Sequence, residues 1–342
     1  GLPIVYTDMV GGQDELVFDG ASFALNRCGE IVLQLAEFKE QIACIEYRDG
    51  DLAKGAIAPE RSIEASVYDA LCLGVKDYIG KNGFPGVLLG LSGGIDSALT
   101  LCIAVDALGA DKVHAVMMPS QYTADISIED AQAMADSLRV KYSVIPIKPV
   151  FDSFLCALAP EFKNTRIDTT EENLQARIRG TMLMALSNKF GSIVLTTGNK
   201  SEMAVGYSTL YGDMAGGFAV IKDISKTWVY RLCHYRNSIG PAIPERVIVR
   251  PPSAELRPDQ KDQDSLPPYD ILDAIMESYM ERNRSPQEII EQGFLREDVE
   301  RFVRLIKRNE YKRRQAPIGV RITERGFGKD WRYPITSKYQ DI

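Results

Sequence analysis

The sequence contains 342 residues and carries a formal net charge of −7 at pH 7, with 45% hydrophobic and 25% charged residues. This length suffices for two domains, and the composition is typical of a globular protein. The acidic balance argues against a broad nucleic-acid-binding surface, and no apolar run approaches the roughly 18 residues of a membrane-spanning helix.

The first 48 residues contain several short apolar stretches separated by turn-forming pairs such as Gly11-Gly12 and Asp19-Gly20. A small antiparallel sheet of this kind needs another surface to pack against. We therefore expect a β-rich segment at 1–48, a linker at 49–60 and a separate domain at 61–342. The predicted strands are 3–6, 16–18, 22–25, 31–36 and 41–47.

From residue 63 the pattern becomes helical and then alternates between strand and helix. This alternation predicts an α/β fold with a doubly wound parallel sheet, in which ligands bind beyond the carboxyl ends of the strands. C-terminal helices are expected after residue 270. The predicted strands are 87–91, 113–117, 142–147 and 192–196, and the predicted helices are 63–78, 97–108, 125–138, 171–190, 228–236, 271–282, 286–292 and 296–315.

The most informative stretch is GLSGGIDS at residues 90–97, which lies between a predicted strand and a predicted helix. Glycines allow backbone N–H groups to approach an anion closely, and a helix N-terminus favours negative charge. It is neither a Walker A loop nor a GxGxxG dinucleotide loop. It resembles the pyrophosphate loop of the ATP pyrophosphatases, although an ordinary glycine-rich turn is the alternative.

Asp96 lies inside this phosphate loop, where a carboxylate cannot attract phosphate directly. An acid at this position therefore predicts a Mg²⁺ ligand. The alternative is a helix N-cap or a first-turn acid.

A second polar cluster, LTTGNKSE at 195–202, also follows a predicted buried strand. Thr197 is placed to reach a nucleotide, and Glu202 to supply a second carboxylate for metal; the equally acceptable alternative is a capped turn. In the glycine-rich segment that follows, Tyr207 and Tyr211 are candidates for stacking on a flat ring. Lys222 and Lys226 are candidates to stabilise charge at a phosphate, although most such lysines are solvated surface residues.

Taken together, these stretches resemble the NAD synthetase family. The resemblance covers about residues 61–335 and implies the ATP pyrophosphatase fold, of the adenine nucleotide alpha hydrolase-like type. It implies a C–N ligase that adenylylates the nicotinate carboxylate of deamido-NAD with ATP, releases pyrophosphate, and then displaces AMP with ammonia. The matching motifs are SGGIDS, EENLQAR at 171–177, TTGNKSE, GYSTLYGD at 206–213, DISKT at 223–227, PSAEL at 252–256 and NEYKRR at 309–314.

The resemblance also implies site residues, motif by motif. The catalytic residues that it implies are Lys226, Asp96 and Glu202: Asp96 and Glu202 would bind Mg²⁺, and Lys226 would lie near the ATP phosphates. The residues implied for ATP are Gly90, Leu91, Ser92, Gly93, Gly94, Ile95, Asp96, Ser97, Thr197 and Ser253. Those implied for deamido-NAD are Asn173, Arg177, Glu202, Tyr207 and Lys312. The acid-rich stretch 255–268 is either a lid over the reacting groups or a disordered surface insertion.

Residues 10–22 (VGGQDELVFDGAS) show a second resemblance, to the tail of the nitrilase-type glutaminase domain fused to glutamine-dependent NAD synthetases. The Glu, Lys and Cys of that active site are expected upstream of this motif, and Cys28 and Cys44 do not match the nucleophile. We therefore expect 1–48 to be the remnant of such a domain in a fragment. Free ammonia should serve this chain, and glutamine the full-length enzyme.

Several partner and class predictions complete this interpretation. The six cysteines form no CxxC pair, which argues against a zinc knuckle and favours free thiols in a reducing, cytoplasmic compartment. We expect no nucleic-acid or membrane partner. The family resemblance implies a homodimer or a larger homo-oligomer. The main alternative is another pyrophosphate-loop amidotransferase such as GMP synthetase, and a catalytically inactive nucleotide-binding module is a third possibility.

Overall fold

The computed structural model describes residues 1–258, 260–264, 266–337 and 339. Two positions of the predicted lid, Asp259 and Ser265, lie outside the described residues. The N-terminal part contains seven short strands, paired as a sheet of order β1-β4-β5 and two hairpins, β2-β3 and β6-β7. They are β1 (Ile4–Tyr6), β2 (Val10–Gln13), β3 (Leu16–Asp19), β4 (Phe23–Leu25), β5 (Ile31–Gln34), β6 (Tyr47–Arg48) and β7 (Asp51–Leu52).

A five-stranded parallel sheet forms the centre of the molecule, with the strand order β10-β9-β8-β11-β12. From β8 the chain passes outward through β9 to the edge strand β10. It then returns to the other side of β8, where it forms β11 and β12, so the direction of winding changes between β8 and β11. Ligands in such sheets bind at this switch point, beyond the carboxyl ends of the strands. The strands are β8 (Val87–Gly90), β9 (Val113–Met117), β10 (Lys141–Val144), β11 (Ile193–Thr196) and β12 (Phe218–Ala219).

Helices cover both faces of this sheet, which confirms the predicted doubly wound α/β fold. The strands are apolar throughout because each face is buried: Leu89 packs in the core with α1, α2 and α7, whereas Leu88 packs in a second core with α4 and α5. The helices are α1 (Ile63–Lys81), α2 (Ile95–Leu108), α3 (Asp125–Leu138), α4 (Lys148–Leu158), α5 (Thr169–Phe190), α6 (Lys200–Val205), α7 (Lys226–Ile239), α8 (Glu245–Val249), α9 (Tyr269–Met276), α10 (Pro286–Glu291), α11 (Arg296–Arg308) and α12 (Glu310–Arg313).

A third core joins the C-terminal helices to α6. Met203 and Ala204 of α6 pack against α9 and α11 through residues such as Leu272 and Phe302. The helix α6 directly follows β11 along the chain. The C-terminal helices therefore pack against the segment that leaves the switch point.

Some local predictions were wrong. The predicted strand 41–47 is absent except for Tyr47, which begins β6, and Ile42 is fully exposed. The pair Gly11-Gly12 lies inside β2 rather than in a turn, because the backbone there approaches α1 closely: a Cβ on Gly12 would lie 3.4 Å from Gly74 Cα. Helix α4 was missed, and the last predicted helix is divided at Asn309.

The hairpin β2-β3 packs on the 61–342 region. Gly12 N donates to Asp77 Oδ2 of α1 (2.7 Å), and Lys81 Nζ donates to Gly12 O (2.8 Å). Arg321 N donates to Glu15 O (2.7 Å). The proposed boundary between 1–48 and 61–342 stays a prediction, and residues 10–19 are in direct contact with both ends of the larger region.

The described part of the chain contains no helix with the length and apolar character needed to cross a membrane. All six cysteines are free thiols, of which Cys28, Cys44 and Cys156 are exposed.

Candidate active site

A cavity opens at the carboxyl ends of β8 and β11, where the sheet changes direction. Segments from several parts of the chain line it: the phosphate loop, the end of β11, the start of α7 and the segment 250–256. The lining includes every residue that the sequence predicted for ATP, namely Gly90, Leu91, Ser92, Gly93, Gly94, Ile95, Asp96, Ser97, Thr197 and Ser253.

The phosphate loop leaves β8 and enters α2 at Ile95. Gly94 precedes the helix, and no side chain caps its first turn, which leaves backbone N–H groups available to an anion. Gly93 has a φ of +80°, and a Cβ there would lie 2.3 Å from Ser127 O. The Ser92 and Ser97 hydroxyl oxygens lie 3.0 Å apart. The loop therefore requires glycine at 93 to fold against α3.

Beside this loop, three charged side chains from separate elements meet. Lys226, the first residue of α7, is only 1% exposed, and its ammonium group contacts the Asp96 carboxylate. The same Nζ lies 3.6 Å from Glu202 Oε1. Asn199 Nδ2 donates to the other Asp96 oxygen (2.9 Å). The structure thus places the three residues predicted to be catalytic in direct contact at the cavity.

Burial and the neighbouring Asp96 charge raise the pKa of Glu202 to about 8, although Lys226 opposes this shift. Burial alone would lower the pKa of Lys226, but the Asp96 and Glu202 charges raise it well above its ordinary value. Lys226 therefore stays protonated. A third carboxylate, Asp262, also has a raised pKa because of burial, and it accepts a hydrogen bond from the Tyr269 hydroxyl (2.8 Å).

Both alternatives considered for the 195–202 cluster describe parts of its geometry. Asn199 and Glu202 form a capping box on α6: Glu202 N donates to Asn199 Oδ1 (2.9 Å), and Asn199 N donates to Glu202 Oε2 (3.3 Å). Glu202 also lines the cavity. In contrast, Asp96 is not an N-cap, because that position is Gly94; it lies in the first turn of α2.

The residues predicted for deamido-NAD surround the segment 206–210. Tyr207 lines the cavity, whereas Asn173, Arg177 and Lys312 lie outside its lining. Asn173 Oδ1 accepts from the Thr209 hydroxyl (2.7 Å), and Arg177 Nε donates to Leu210 O (3.2 Å). Lys312 Nζ donates to the carbonyls of Gly206 (2.8 Å) and Ser208 (2.7 Å).

Tyr211, a candidate for ring stacking, and Lys222, a candidate for phosphate contact, both lie outside the main cavity. Tyr211 is 66% exposed, and Lys222 Nζ donates to the carbonyl of Pro317 (2.8 Å). Lys226, rather than Lys222, is thus the lysine adjacent to the phosphate loop.

Sequence reasoning missed a group of polar residues that line the opposite wall. Arg250 donates to the Ser127 hydroxyl and to Glu255 Oε1, both at 2.7 Å. Arg179 of α5 donates from Nε to Met118 O (3.0 Å), and burial lowers its pKa to about 10. Only Glu255 lay in a recognised motif, PSAEL. Arg179 lies just beyond the EENLQAR motif, which ends at Arg177, and the packing of α5 on the sheet places it at the cavity.

The segment 255–268 contributes Glu255, Leu256 and Asp262 to the cavity wall. Asp262 is buried and lies in a short 3₁₀ turn. These three residues therefore form part of the cavity wall, and the role of the segment as a lid stays a prediction.

Comparison with known proteins places this site in a family. The family model for NAD synthase matches residues 67–316. The chain belongs to the NAD synthase family. It is 56% identical over 341 residues to a glutamine-dependent NAD(+) synthetase of Acinetobacter baylyi, covering 98% of this chain and 63% of that relative. The chain thus spans less than two thirds of the length of the curated relatives it matches.

Two solved structures extend the comparison to the NAD synthase fold. A glutamine-dependent NAD+ synthetase from Acinetobacter baumannii in complex with ADP is 53% identical, with a TM-score of 0.72, covering 98% of this chain and 62% of that one. An NH3-dependent NAD synthetase from Campylobacter jejuni is 26% identical, with a TM-score of 0.60, covering 74% of this chain and 96% of that one. The expected family and fold are confirmed, and NAD synthase is favoured over GMP synthetase.

Proposed function

We propose that this NAD synthase chain catalyses the ATP-dependent amidation of deamido-NAD to NAD. In the first step, a nicotinate carboxylate oxygen attacks the α-phosphorus of ATP, forming an adenylate and releasing pyrophosphate. In the second step, ammonia attacks the activated carbonyl carbon, AMP leaves, and a proton is lost from nitrogen. The observation that carries this proposal is the contact of Lys226 with Asp96 and its proximity to Glu202 beside the phosphate loop.

The chain's own residues divide this work. The backbone N–H groups in the first turn of α2, at 95–97, suit the triphosphate, which they would hold with its α-phosphorus near Lys226. The permanently protonated Lys226 ammonium then stabilises the negative charge that develops on the α-phosphate. Thr197 and Ser253 line the same cavity and are proposed as further ATP contacts.

The acidic pair fits a Mg²⁺ ion. Mg²⁺ in nucleotide sites takes one or two carboxylates, with the remaining ligands from phosphate and water. Asp96 and Glu202 provide these carboxylates, and the raised pKa of Glu202 reflects the cost of placing it beside Asp96 in a buried site. No group of three metal-ligating side chains occurs among the described residues, which is consistent with a metal shared with phosphate. Bound there, Mg²⁺ would neutralise charge on the phosphates.

The deamido-NAD site is proposed at the segment 206–210 and its neighbours. Tyr207 and Glu202 line the cavity. Asn173, Arg177 and Lys312 lie outside the cavity lining and form hydrogen bonds with the segment 206–210. Their hydrogen bonds to 206–210 would keep Tyr207 in place to contact the substrate. A direct contact of these three residues with deamido-NAD stays a prediction.

The immediate nitrogen donor is proposed to be ammonia. The Campylobacter protein whose name gives NH3 as its donor is covered to 96% by this chain, whereas the glutamine-dependent relatives are covered to 61–65%. The part shared by both groups would therefore contain the ammonia-dependent reaction. In a longer protein, glutamine would supply the ammonia through the domain to which residues 10–22 show resemblance.

An assay of residues 1–342 with ATP, Mg²⁺ and deamido-NAD tests this function. We expect NAD and AMP in equal amounts with ammonium, and no NAD with glutamine. NAD from glutamine would contradict the proposed donor. The absence of both NAD and AMP would overturn the proposed reaction. A homo-oligomeric, cytoplasmic enzyme is also proposed, and light scattering after gel filtration tests the oligomeric part.

A further inference from the structure

The N-terminus of α7 presents Lys226 to the site, yet its own N-cap residue does not cap it. Ser225 occupies the cap position, but its hydroxyl makes no capping bond with a backbone N–H of the helix and instead lies 3.1 Å from the Thr227 hydroxyl. The first N–H groups of a helix need partners when they are buried. Lys226 N and Thr227 N find theirs in two other helices.

Those partners are Ser201 of α6 and Asp273 of α9. Lys226 N donates to Ser201 Oγ, and Thr227 N donates to Asp273 Oδ2, both at 2.8 Å. The Ser201 hydroxyl in turn donates to the other oxygen of Asp273. Ser201 is 0% exposed and Asp273 is 6% exposed. One buried carboxylate therefore joins the starts of α6 and α7 from α9.

The joined residues are immediate neighbours of the proposed catalytic groups. Ser201 precedes Glu202 in α6, and the Ser201 side chain binds the backbone of Lys226 itself. The separation between Lys226 Nζ and Glu202 Oε1 thus depends on the relative positions of the first turns of α6 and α7, which are both hydrogen-bonded to Asp273. Asp273 itself does not line the cavity, so it has no route to the substrate.

We propose that Asp273, through Ser201, is a positioning residue that fixes Lys226 relative to Glu202 and Asp96. The kinetic consequences of this inference rest on the proposed function, whereas the hydrogen bonds of Ser201 and Asp273 to the start of α7 do not depend on that function. A carboxylate is suited to this place because it accepts several hydrogen bonds and because negative charge is favourable at a helix N-terminus.

Three variants test the proposal, each assayed with ammonium, ATP and deamido-NAD. Asp273→Ala removes both acceptor oxygens, and we expect kcat to fall by about 10- to 100-fold with KM for ATP nearly unchanged. Asp273→Asn keeps an acceptor for Thr227 N and should recover part of that loss. Ser201→Ala removes the acceptor for Lys226 N and the donor to Asp273 but leaves the contact between Thr227 N and Asp273, so it should give a similar split with a smaller effect.

The matched control is Asp130→Asn, which alters another buried carboxylate that contacts Arg246 on α8 and does not line the cavity. Both Asn variants should lose thermal stability, whereas only Asp273→Asn should lower kcat. A normal kcat in Asp273→Ala, or an equal loss of kcat in Asp130→Asn, would overturn the positioning role.

Hydrogen–deuterium exchange separates this inference from the proposed function. We expect faster exchange at residues 225–229 in Asp273→Asn than in the unmodified chain, with little change in α1. Unchanged exchange there would overturn the capping role. If the unmodified chain makes no NAD while the exchange result holds, the proposed reaction fails and the structural link from Asp273 to Lys226 stands.

Discussion

Lys226 Nζ lies 3.6 Å from Glu202 Oε1 while it contacts Asp96, so one buried ammonium group separates two acidic side chains at the cavity. The pairing accounts for a charged lysine that is only 1% exposed, because an unpaired buried charge is costly. It also makes the electrostatics of the three residues interdependent. A change at Asp96 or Lys226 would therefore alter the pKa of Glu202.

The first prediction concerns Lys226→Met. The methionine fills similar space but leaves the Asp96 and Glu202 charges facing each other and removes the positive charge near the phosphate loop. We expect kcat for pyrophosphate release to fall by about 100- to 1,000-fold. The assay follows pyrophosphate with ammonium as donor.

The control is Lys222→Met, because Lys222 Nζ donates to the Pro317 carbonyl and does not line the main cavity. That variant should retain kcat within about threefold, a difference of under 1 kcal/mol. Equal losses in the two variants would contradict the assignment of the charge-stabilising role to Lys226.

The second prediction concerns pH. The pKa of Glu202 is raised to about 8 from an ordinary value of 4.5. Between these values the folded chain holds a proton on Glu202 that the unfolded chain lacks, so this group's contribution to the free energy of unfolding falls as pH rises from about 4.5 to 8. Glu202→Gln removes that loss. Its Tm relative to the unmodified chain should therefore increase between pH 5 and pH 9.

Thermal melts across this range, without nucleotide or metal, check the expectation. Glu161→Gln is the control, because Glu161 is exposed. Its Tm difference from the unmodified chain should stay flat with pH. A Tm difference for Glu202→Gln that falls as pH rises would show that the folded state favours the ionised carboxyl.

The parts of the site that the sequence predicts are those built from contiguous residues. An apolar strand followed by SGGIDS places donors and Asp96 at one sheet edge, since strand, turn and helix are adjacent in the chain. The parallel pairing of β8 with β11 then brings Thr197 and Glu202 to the same edge. These residues were predicted because strand topology alone places them.

The remainder depends on contacts between distant segments. Asp273 meets Thr227 at the start of α7 only because α9 packs against α7, and Arg250 meets Ser127 across 123 positions of sequence. The predicted strand 41–47 shows the opposite error. Its apolar residues 42–45 form a continuous run, yet the run forms no strand, and Ile42 is exposed to solvent. Periodicity describes a segment's preference, whereas pairing and packing decide its structure.

The third prediction concerns Gly93→Ala. At Gly93, a φ of +80° and a Cβ position 2.3 Å from Ser127 O both oppose any side chain. We expect a stability loss of about 2–4 kcal/mol, because backbone strain and a steric clash add. The displaced loop should also raise KM for ATP. Chemical denaturation and steady-state kinetics measure the two effects.

Gly83→Ala is the matched control, because Gly83 has a similar φ of +72° but no atom near the added Cβ. That variant carries the strain without the clash and should lose about 1 kcal/mol, with an unchanged KM for ATP. If the two variants lose equal stability, the contact between the phosphate loop and Ser127 is not what requires glycine.

The fourth prediction concerns Lys312→Ala. Lys312 Nζ binds the carbonyls of Gly206 and Ser208 on either side of Tyr207, so its removal frees the segment that presents Tyr207 to the cavity. We expect KM for deamido-NAD to rise by about tenfold, with KM for ATP nearly unchanged, because Lys312 lies outside the cavity lining and its hydrogen bonds go to Gly206 and Ser208. Steady-state kinetics with each substrate varied in turn separate the two constants.

Lys148→Ala, which alters an exposed pair with Asp152 on α4, should leave both unchanged. A parallel rise in KM for ATP would instead mean that Lys312 supports the whole cavity rather than its deamido-NAD side.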